Sequence, residues 1–277
     1  MKPENLDAET VNSFGAEWAR FDQSAAPEKE LLKYFDEYFC IFPWSQLPAD
    51  AAGFDMGCGS GRWANFVAPR VGKLHCIDPS SQALEVARQK LAGHANVELH
   101  HASVDTVAIT PGSLDFGYSL GVLHHVPDTQ AAITSCVQLL KPSAPFLVYL
   151  YYRFDNRSTL FRWVWRASEA VRRVICQLPR AIKSRVTDAL AVTVYWPLAR
   201  ACRLLERLGI RTQSIPLHAY RNASFYTMRT DSLDRFGTPL EHRFTRAEIQ
   251  RMMEKSGLRD VYFSPNGPYW CALGFKQ

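Results

Sequence analysis

The sequence lacks any hydrophobic run long enough to span a bilayer. Its longest uncharged apolar stretch, near Leu190 to Ala199, is about half of the roughly 20 residues a spanning helix needs. The N-terminal MKPENLDAET is polar and acidic, without an apolar signal core, so neither export nor a membrane span is expected and a cytoplasmic location is. Cysteine is scarce and scattered. Cys40, Cys58, Cys76, Cys136, Cys176, Cys202 and Cys271 are odd in number and never spaced CxxC, which argues against a disulfide framework and against a zinc site. No metal is expected. There is no internal repeat, no low-complexity tract, and no Gly-Lys-Ser/Thr ending of a P-loop.

What is present is an ordinary globular composition. With 277 residues, 47% of them hydrophobic, the chain can form one large domain with an insert. The charge is unevenly placed. Residues 151–230 hold fifteen Lys and Arg, fourteen of them Arg, against four Asp and Glu; that segment is +11 in a chain of +5, so the remainder carries −6.

The hydrophobic pattern alternates strand and helix from residue 52 to 152. A helix over 28–39 comes first, and then a short strand ends in a glycine-rich turn, with Trp63, Phe66 and Val67 opening a helix. Leu74 to Ile77, Val97 to Leu99, Leu114 to Leu120 and Phe146 to Tyr151 read as further strands, with helices from Ser81 to about Leu91 and through Ile133, Val137 and Leu140. Such units specify an α/β fold, a doubly wound, mostly parallel sheet. From Asn156 to about Gly209 the pattern is helical, broken at Pro179 and Pro197. Thr245-Arg246-Ala247-Glu248 is a capping box that opens a last helix stopped by Gly257. Val261 to Ser264 and Trp270 to Phe275 then form an antiparallel hairpin around Pro265-Asn266-Gly267-Pro268, completing seven strands. The expected organisation is a helical cap over 1–48, a core over 49–152, a basic helical insert over 153–230, and a helix and hairpin over 231–277.

The run Phe54-Asp55-Met56-Gly57-Cys58-Gly59-Ser60-Gly61-Arg62-Trp63 sets three glycines at every second position. Glycine loses the most backbone freedom on folding, so its clustering signals a close approach to the backbone. A strand, a glycine turn and a helix N-terminus make a corner that favours an anion. The spacing is not the GxGxxG of a dinucleotide fold. Asp55, two residues ahead of Gly57, suits a ligand bearing both carboxylate and ammonium. Asp78, 21 residues after Gly57 at the end of the second strand, is placed to accept both hydroxyls of a ribose. An ordinary tight turn is the alternative.

Taken in order, Phe54 to Trp63, Cys76-Ile77-Asp78-Pro79-Ser80 and Tyr118-Ser119-Leu120-Gly121-Val122-Leu123-His124-His125-Val126-Pro127-Asp128 resemble the successive motifs of class I S-adenosylmethionine-dependent methyltransferases, whose fold is Rossmann-like. The likeness covers about residues 50–152 and resumes at the capping-box helix. It implies that Asp55 and the turn Gly57, Cys58, Gly59 and Gly61 face the methionine part of S-adenosyl-L-methionine. It further implies that Asp78 binds the ribose, Pro79 packs on the adenine, and Leu120 contacts the cofactor from the fourth strand. Family members often carry an acid near the third strand end. Here Ala102-Ser103-Val104-Asp105 sets Ser103 there; either its hydroxyl substitutes or Asp105 turns in, with the Val104 N–H also available to the ring.

A sulfonium methyl is already activated, so the protein must chiefly align donor and acceptor and, for a hydroxyl, supply a base. His124 and His125 follow the fourth strand at the mouth where open α/β sheets bind ligands. Adjacent residues there are expected to point in opposite directions, and His124 is the candidate base; a histidine bonded to a loop carbonyl is the alternative. The pair lacks matching metal ligands, and His100-His101 reads as surface. Phe14 to Phe21 is similar to a segment that folds over the cofactor in some of these enzymes, or is a helix packing aromatics on the core. Asp231, Asp234 and Arg235 either bind a polar acceptor or close a turn.

In the insert, Arg162, Arg166 and Arg173 share one helical face and Leu160, Val164, Ala167, Val171, Val174 and Leu178 another; Arg200, Arg203 and Arg207 repeat the scheme. Three readings remain: a lid for an amphipathic or phosphate-bearing acceptor at an anionic membrane surface, nucleic-acid binding, or a cap with a solvated face. The expected activity is methyl transfer to an oxygen of a small-molecule, lipid or glycan acceptor. The alternatives are a nucleic-acid methyltransferase, against which stands the lack of an NPPY-type run after the fourth strand, and a non-catalytic membrane-surface module.

Overall fold

The near-continuous apolar runs become strands buried on both faces, the burial expected where helices cover both sides of a sheet. In a computed structural model describing residues 4–155, 157–265 and 270–277, the elements run α1 (Ala8–Arg20), α2 (Glu28–Phe39), β1 (Ala52–Met56), α3 (Ala64–Val67), β2 (Lys73–Asp78), α4 (Ser81–Lys90), β3 (Val97–His101), β4 (Phe116–Leu120), α5 (Thr129–Leu139), β5 (Pro145–Tyr149), α6 (Thr159–Ile175), α7 (Arg180–Leu190), α8 (Trp196–Arg207), α9 (Phe225–Gly237), α10 (Arg246–Lys255), β6 (Leu258–Phe263) and β7 (Cys271–Lys276). The sheet order is β3-β2-β1-β4-β5-β7-β6. β1 to β5 pair in parallel, and β7 is antiparallel to both of its neighbours. This is the doubly wound, seven-stranded, Rossmann-like sheet that the sequence predicts. The expected hairpin turn at Asn266-Gly267-Pro268 lies outside the described residues.

The chain forms two compact units. One comprises Met1–Gln23, Leu32–Arg153 and Leu240–Gln277, the other Ser24–Leu31 and Phe154–Pro239. In the first, Phe35, Phe39, Trp63, Leu74, Tyr118 and Leu147 fill one face of the sheet, and Phe54, Ile77, Ile133, Phe146, Ile249 and Met253 fill the other. Neighbouring β1 and β4 exchange rings. Gly53 is in register with Phe116 and Phe54 with Gly117, and a Cβ on either glycine would lie within 2.3 Å of the opposite phenyl ring. Each phenylalanine thus covers the space its partner strand leaves open.

Helix starts follow side-chain chemistry. Asp7, Ser80, Asp128, Ser158, Ser224 and Thr245 each accept an N–H of the following turn, and Thr245 with Glu248 forms the expected capping box. Two expectations shift. The helix after the glycine turn is only α3 followed by a 3-10 turn over Ala68–Arg70, where Pro69 removes a donor. Pro197 does not break the insert. Residues 180–207 run on through a π turn at Ala191–Tyr195, in which the Trp196 N–H reaches back five residues to the Ala191 carbonyl. The wide turn gives the proline ring room and shifts the hydrogen-bond register past its missing donor.

In the second unit, Ile175, Tyr195, Ala199, Met228 and Phe236 form the core. α9 runs unbroken across residues 230 and 231. α6 presents an apolar stripe outward as well as its exposed arginines. Leu160 is 75% exposed, Trp163 61% and Val174 67%, with Val164 and Val171 also outward. Its inward stripe sets charge among the apolar Phe161, Trp165 and Ile175. Arg172 donates through Nε and Nη2 to Glu169 and through Nη1 to the Thr238 carbonyl, while Arg235 donates to Glu169 at 3.0 Å. Arg235 is thereby committed to the interior of its own unit. Burial raises the Glu169 carboxyl, but the Arg172 hydrogen bonds and the charges of Arg172 and Arg235 outweigh it and hold the group at about 2. Because that value lies below the ordinary 4.5, the contribution to stability is complete above about pH 4.5 and is lost as pH falls through about 2. Glu169→Gln removes the carboxylate that the Arg172 and Arg235 guanidinium groups share, and is expected to lower unfolding free energy at pH 7 by about 3–5 kcal/mol in urea titrations.

Candidate active site

The C-terminal ends of β1 to β4 lie along one edge of the parallel sheet, where open α/β folds bind ligands. The glycine turn leaves β1 there. Gly57, Gly59 and Gly61 all have left-handed backbones, with φ of +79°, +54° and +73°. At Gly57 a Cβ would strike the Val122 side chain, and at Gly59 it would stand 2.9 Å from the Trp18 indole nitrogen. Both close approach and handedness therefore require glycine. Cys58 between them is buried. The Gly57 and Cys58 N–H groups donate to the Ile77 carbonyl at the end of β2.

Asp55, on β1 in register with Cys76 and Tyr118, is almost fully buried. Its Oδ2 meets no hydrogen-bond donor. Burial pushes its carboxyl up to about 8, only partly offset by the Tyr118 hydroxyl and more weakly by Arg62. Asp78 is bonded on both oxygens. Oδ2 accepts from the Gly59 N–H and Oδ1 from the Ser80 N–H, and burial, the dominant influence, leaves it at about 6. Asp78 therefore holds the glycine turn against β2 and retains a lone pair on each oxygen for a further donor. The Pro79 carbonyl accepts from the His101 ring. Leu120 closes β4 and is buried.

After β3 the Ser103 hydroxyl lies 2.6 Å from Glu4 Oε1, 2.7 Å from Asp105 Oδ1 and 2.9 Å from Thr106 Oγ1. Asp105 thus turns in to Ser103 and also accepts the Asn5 N–H. Val104 is buried in the apolar cluster with Ile77.

His124 and His125 sit in a 3-10 turn over Leu123–His125. The strand-like expectation of opposed side chains fails, because successive residues of such a turn are about 120° apart rather than 180°. The two rings lie 4.0 Å apart, and His124 stacks on Tyr151 at 3.9 Å. His124 has zero exposure, and neither ring nitrogen has a hydrogen-bond partner. Burial first, then the charges of His125, Arg243 and His242, hold its imidazole well below the ordinary range, so the ring is neutral at pH 7. His125 donates through Nδ1 to the Leu240 carbonyl.

Sequence reasoning missed three neighbours. Tyr151 extends from β5, the His242 N–H donates to the His124 carbonyl, and Arg243 lies over the Tyr151 ring while paired with buried Glu241 at 2.6 Å. The only signal was the run Glu241-His242-Arg243 ahead of the capping box. α1 reaches the same edge through three residues. Phe14 stands 4.9 Å from His125, Gly15 lies against the Ser80 hydroxyl, and Trp18 covers Gly59.

This fold is that of the class I S-adenosylmethionine-dependent methyltransferases. Residues 54–143 match the family described as a methyltransferase domain. Among curated proteins, the chain is 31% identical to a ubiquinone biosynthesis O-methyltransferase of Albidiferax ferrireducens, over 54% of this chain and 62% of that protein. It is 35% identical to the protein so named from Aromatoleum aromaticum, over 48% and 60%. The chain spans about three fifths of the length of these relatives. A solved O-methyltransferase family protein from Burkholderia thailandensis shares the fold, with a TM-score of 0.54 at 13% identity over 96% of this chain and 59% of that one.

The cofactor of this class is S-adenosylmethionine, and the residues fit it. Asp55 is a buried carboxylate oxygen with no donor, as an ammonium requires. The glycine turn leaves no Cβ between backbone and ligand, and Asp78 has acceptor capacity for hydroxyls.

Proposed function

We propose that this chain transfers the methyl group of S-adenosylmethionine to an oxygen of a small-molecule acceptor. The donorless, almost fully buried Asp55 oxygen carries the reading of the cofactor pocket, and the O-methyltransferase relatives support oxygen as the target. In it, Asp55 pairs with the ammonium, the Gly57, Cys58, Gly59 and Gly61 backbone lies along the methionine part, and Asp78 accepts from the ribose. Pro79 and Leu120 bound the nucleoside, with Ser103 and Val104 at the adenine end. The bound sulfonium supplies an activated methyl, so the protein's remaining tasks are alignment and removal of a hydroxyl proton. His124 takes that proton on a ring nitrogen, since its imidazole is neutral and both nitrogens lack partners. Calorimetric titration with S-adenosylmethionine and S-adenosylhomocysteine tests the first part, with micromolar saturation by both expected. Methylation of hydroxylated ubiquinone precursors by the labelled cofactor tests the second. Failure to bind either nucleoside would overturn the reading.

The outward apolar stripe of α6 favours an anionic bilayer as the place where an apolar acceptor is met. Leu160, Trp163, Val164, Val171 and Val174 face outward, and Arg162, Arg166 and Arg173 flank them. A helix with an apolar face and a basic border lies in the interface of anionic lipid. Co-sedimentation with phosphatidylglycerol vesicles is expected, with weaker binding to phosphatidylcholine and loss in Trp163→Glu. No helix among the described residues is long and apolar enough to cross a membrane.

A further inference from the structure

Away from the glycine turn, the facing strands β2 and β3 carry a second cluster of chemistry that the methyl-transfer reading does not use. His75 and Glu98 are paired in register, and His100 lies two residues beyond Glu98 on the same face of β3, opposite Ile77. His75 Nδ1 is 2.9 Å from His100 Nε2 and 3.6 Å from Glu98 Oε2; His100 Nε2 is 3.7 Å from Glu98 Oε1. Among the described residues this is the group of His, Cys, Asp and Glu side chains close enough together to hold a metal ion.

The geometry points to a divalent zinc-class site formed by His75 Nδ1, Glu98 and His100 Nε2. A cation about 2.0–2.2 Å from each of three tetrahedral ligands sets them about 3.3–3.6 Å apart. The ring nitrogens stand 2.9 Å apart and must part slightly, while each lies near that range from one Glu98 oxygen, 3.6 Å to Oε2 and 3.7 Å to Oε1, so a small turn of the exposed carboxylate offers one oxygen to the ion. Two imidazoles and one carboxylate are the nitrogen and oxygen set that zinc accepts. The ligands stand on hydrogen-bonded strands of the central sheet rather than on loops, so their backbones are fixed in advance. In the metal-free chain one ring must present an N–H to the other across the 2.9 Å contact. Zinc takes the place of that shared proton once the ring shifts it to its far nitrogen, His75 Nε2 or His100 Nδ1, so no net proton is lost. Glu98 is half exposed, which leaves the fourth position to water. The bound ion would join β3, an edge strand of the sheet, to β2 through side chains. One group competes. Lys73 Nζ lies 2.8 Å from Glu98 Oε2 and must yield the carboxylate to the ion.

The test is zinc titration of the metal-free, full-length protein by calorimetry in a Cys40→Ser background, which removes the exposed thiol. Cobalt(II) provides a parallel optical readout. We expect a single zinc equivalent and the intense visible bands of four-coordinate cobalt. His75→Asn and His100→Gln should each weaken zinc binding by more than the about 10- to 100-fold that loss of a supporting hydrogen bond costs such sites. Lys73→Met should tighten it severalfold, and none of these three substitutions touches the cofactor turn. Wild type that takes up no zinc, or histidine variants that bind it as wild type does, would overturn the assignment. Should a histidine variant fail to fold, Lys73→Met and the cobalt spectrum decide. Unchanged affinity in Lys73→Met together with a pale six-coordinate spectrum likewise rules the site out.

Discussion

Asp55→Asn is expected to weaken S-adenosylmethionine binding by about 30- to several-thousand-fold, the range for removing one member of a buried, hydrogen-bonded charge pair. The same variant should be the more stable apoprotein at alkaline pH. In the ligand-free chain, burial raises Asp55 from 3.8 to about 8 and Asp78 from 3.8 to about 6. Both folded values exceed the unfolded ones, so the folded chain keeps protons that the unfolded chain has released. Stability therefore falls as pH rises from about 4 to about 8. In Asp55→Asn that decline belongs to Asp78 and ends near pH 6. Thermal midpoints across this interval show the difference, and calorimetry in two buffers of unlike ionisation enthalpy shows whether cofactor binding expels the Asp55 proton. Unchanged cofactor affinity in the variant would place the ammonium elsewhere.

The second large effect concerns His124. His124→Asn is expected to lower kcat by about 10²- to 10⁴-fold, the usual contribution of a positioned base, while cofactor affinity stays within about threefold. Because the imidazole is held well below 6.5, its base form persists on the acid side of neutrality. Wild-type kcat should therefore pass through pH 6.5 without an inflection from this ring. An undiminished kcat in the variant would assign the ring to packing against Tyr151.

The legible parts of this protein were those whose physics is local. The glycine clustering signalled a close approach to the backbone, and at Gly57 and Gly59 the side chains of Val122 and Trp18 stand where a Cβ would be or against it. The Thr245 capping box and the β2 to Asp78 segment were readable for the same reason: a few adjacent residues determine them. The setting of His124 was not, because Tyr151, His242 and Arg243 arrive from separate parts of the chain. Ser103 lay open between two roles until Glu4, about a hundred residues earlier, was seen to share its hydroxyl with Asp105. Amphipathicity gave the two faces of α6 but not their direction. Arg172 and Arg235 bury their charge against Glu169, and the apolar face turns outward. Pro197 misled because a π turn needs no marker that a single helix pattern would display.

The exchanged rings of β1 and β4 bear on how this sheet can change through descent. A methyl group at Gly53 or Gly117 collides with the opposite ring, while trimming either Phe116 or Phe54 to alanine opens a void worth about 3–5 kcal/mol. Each single step is thus selected against, and the four positions travel through evolution as two linked pairs. A lineage that replaced the phenyl on one strand must have altered the glycine facing it in the same stride.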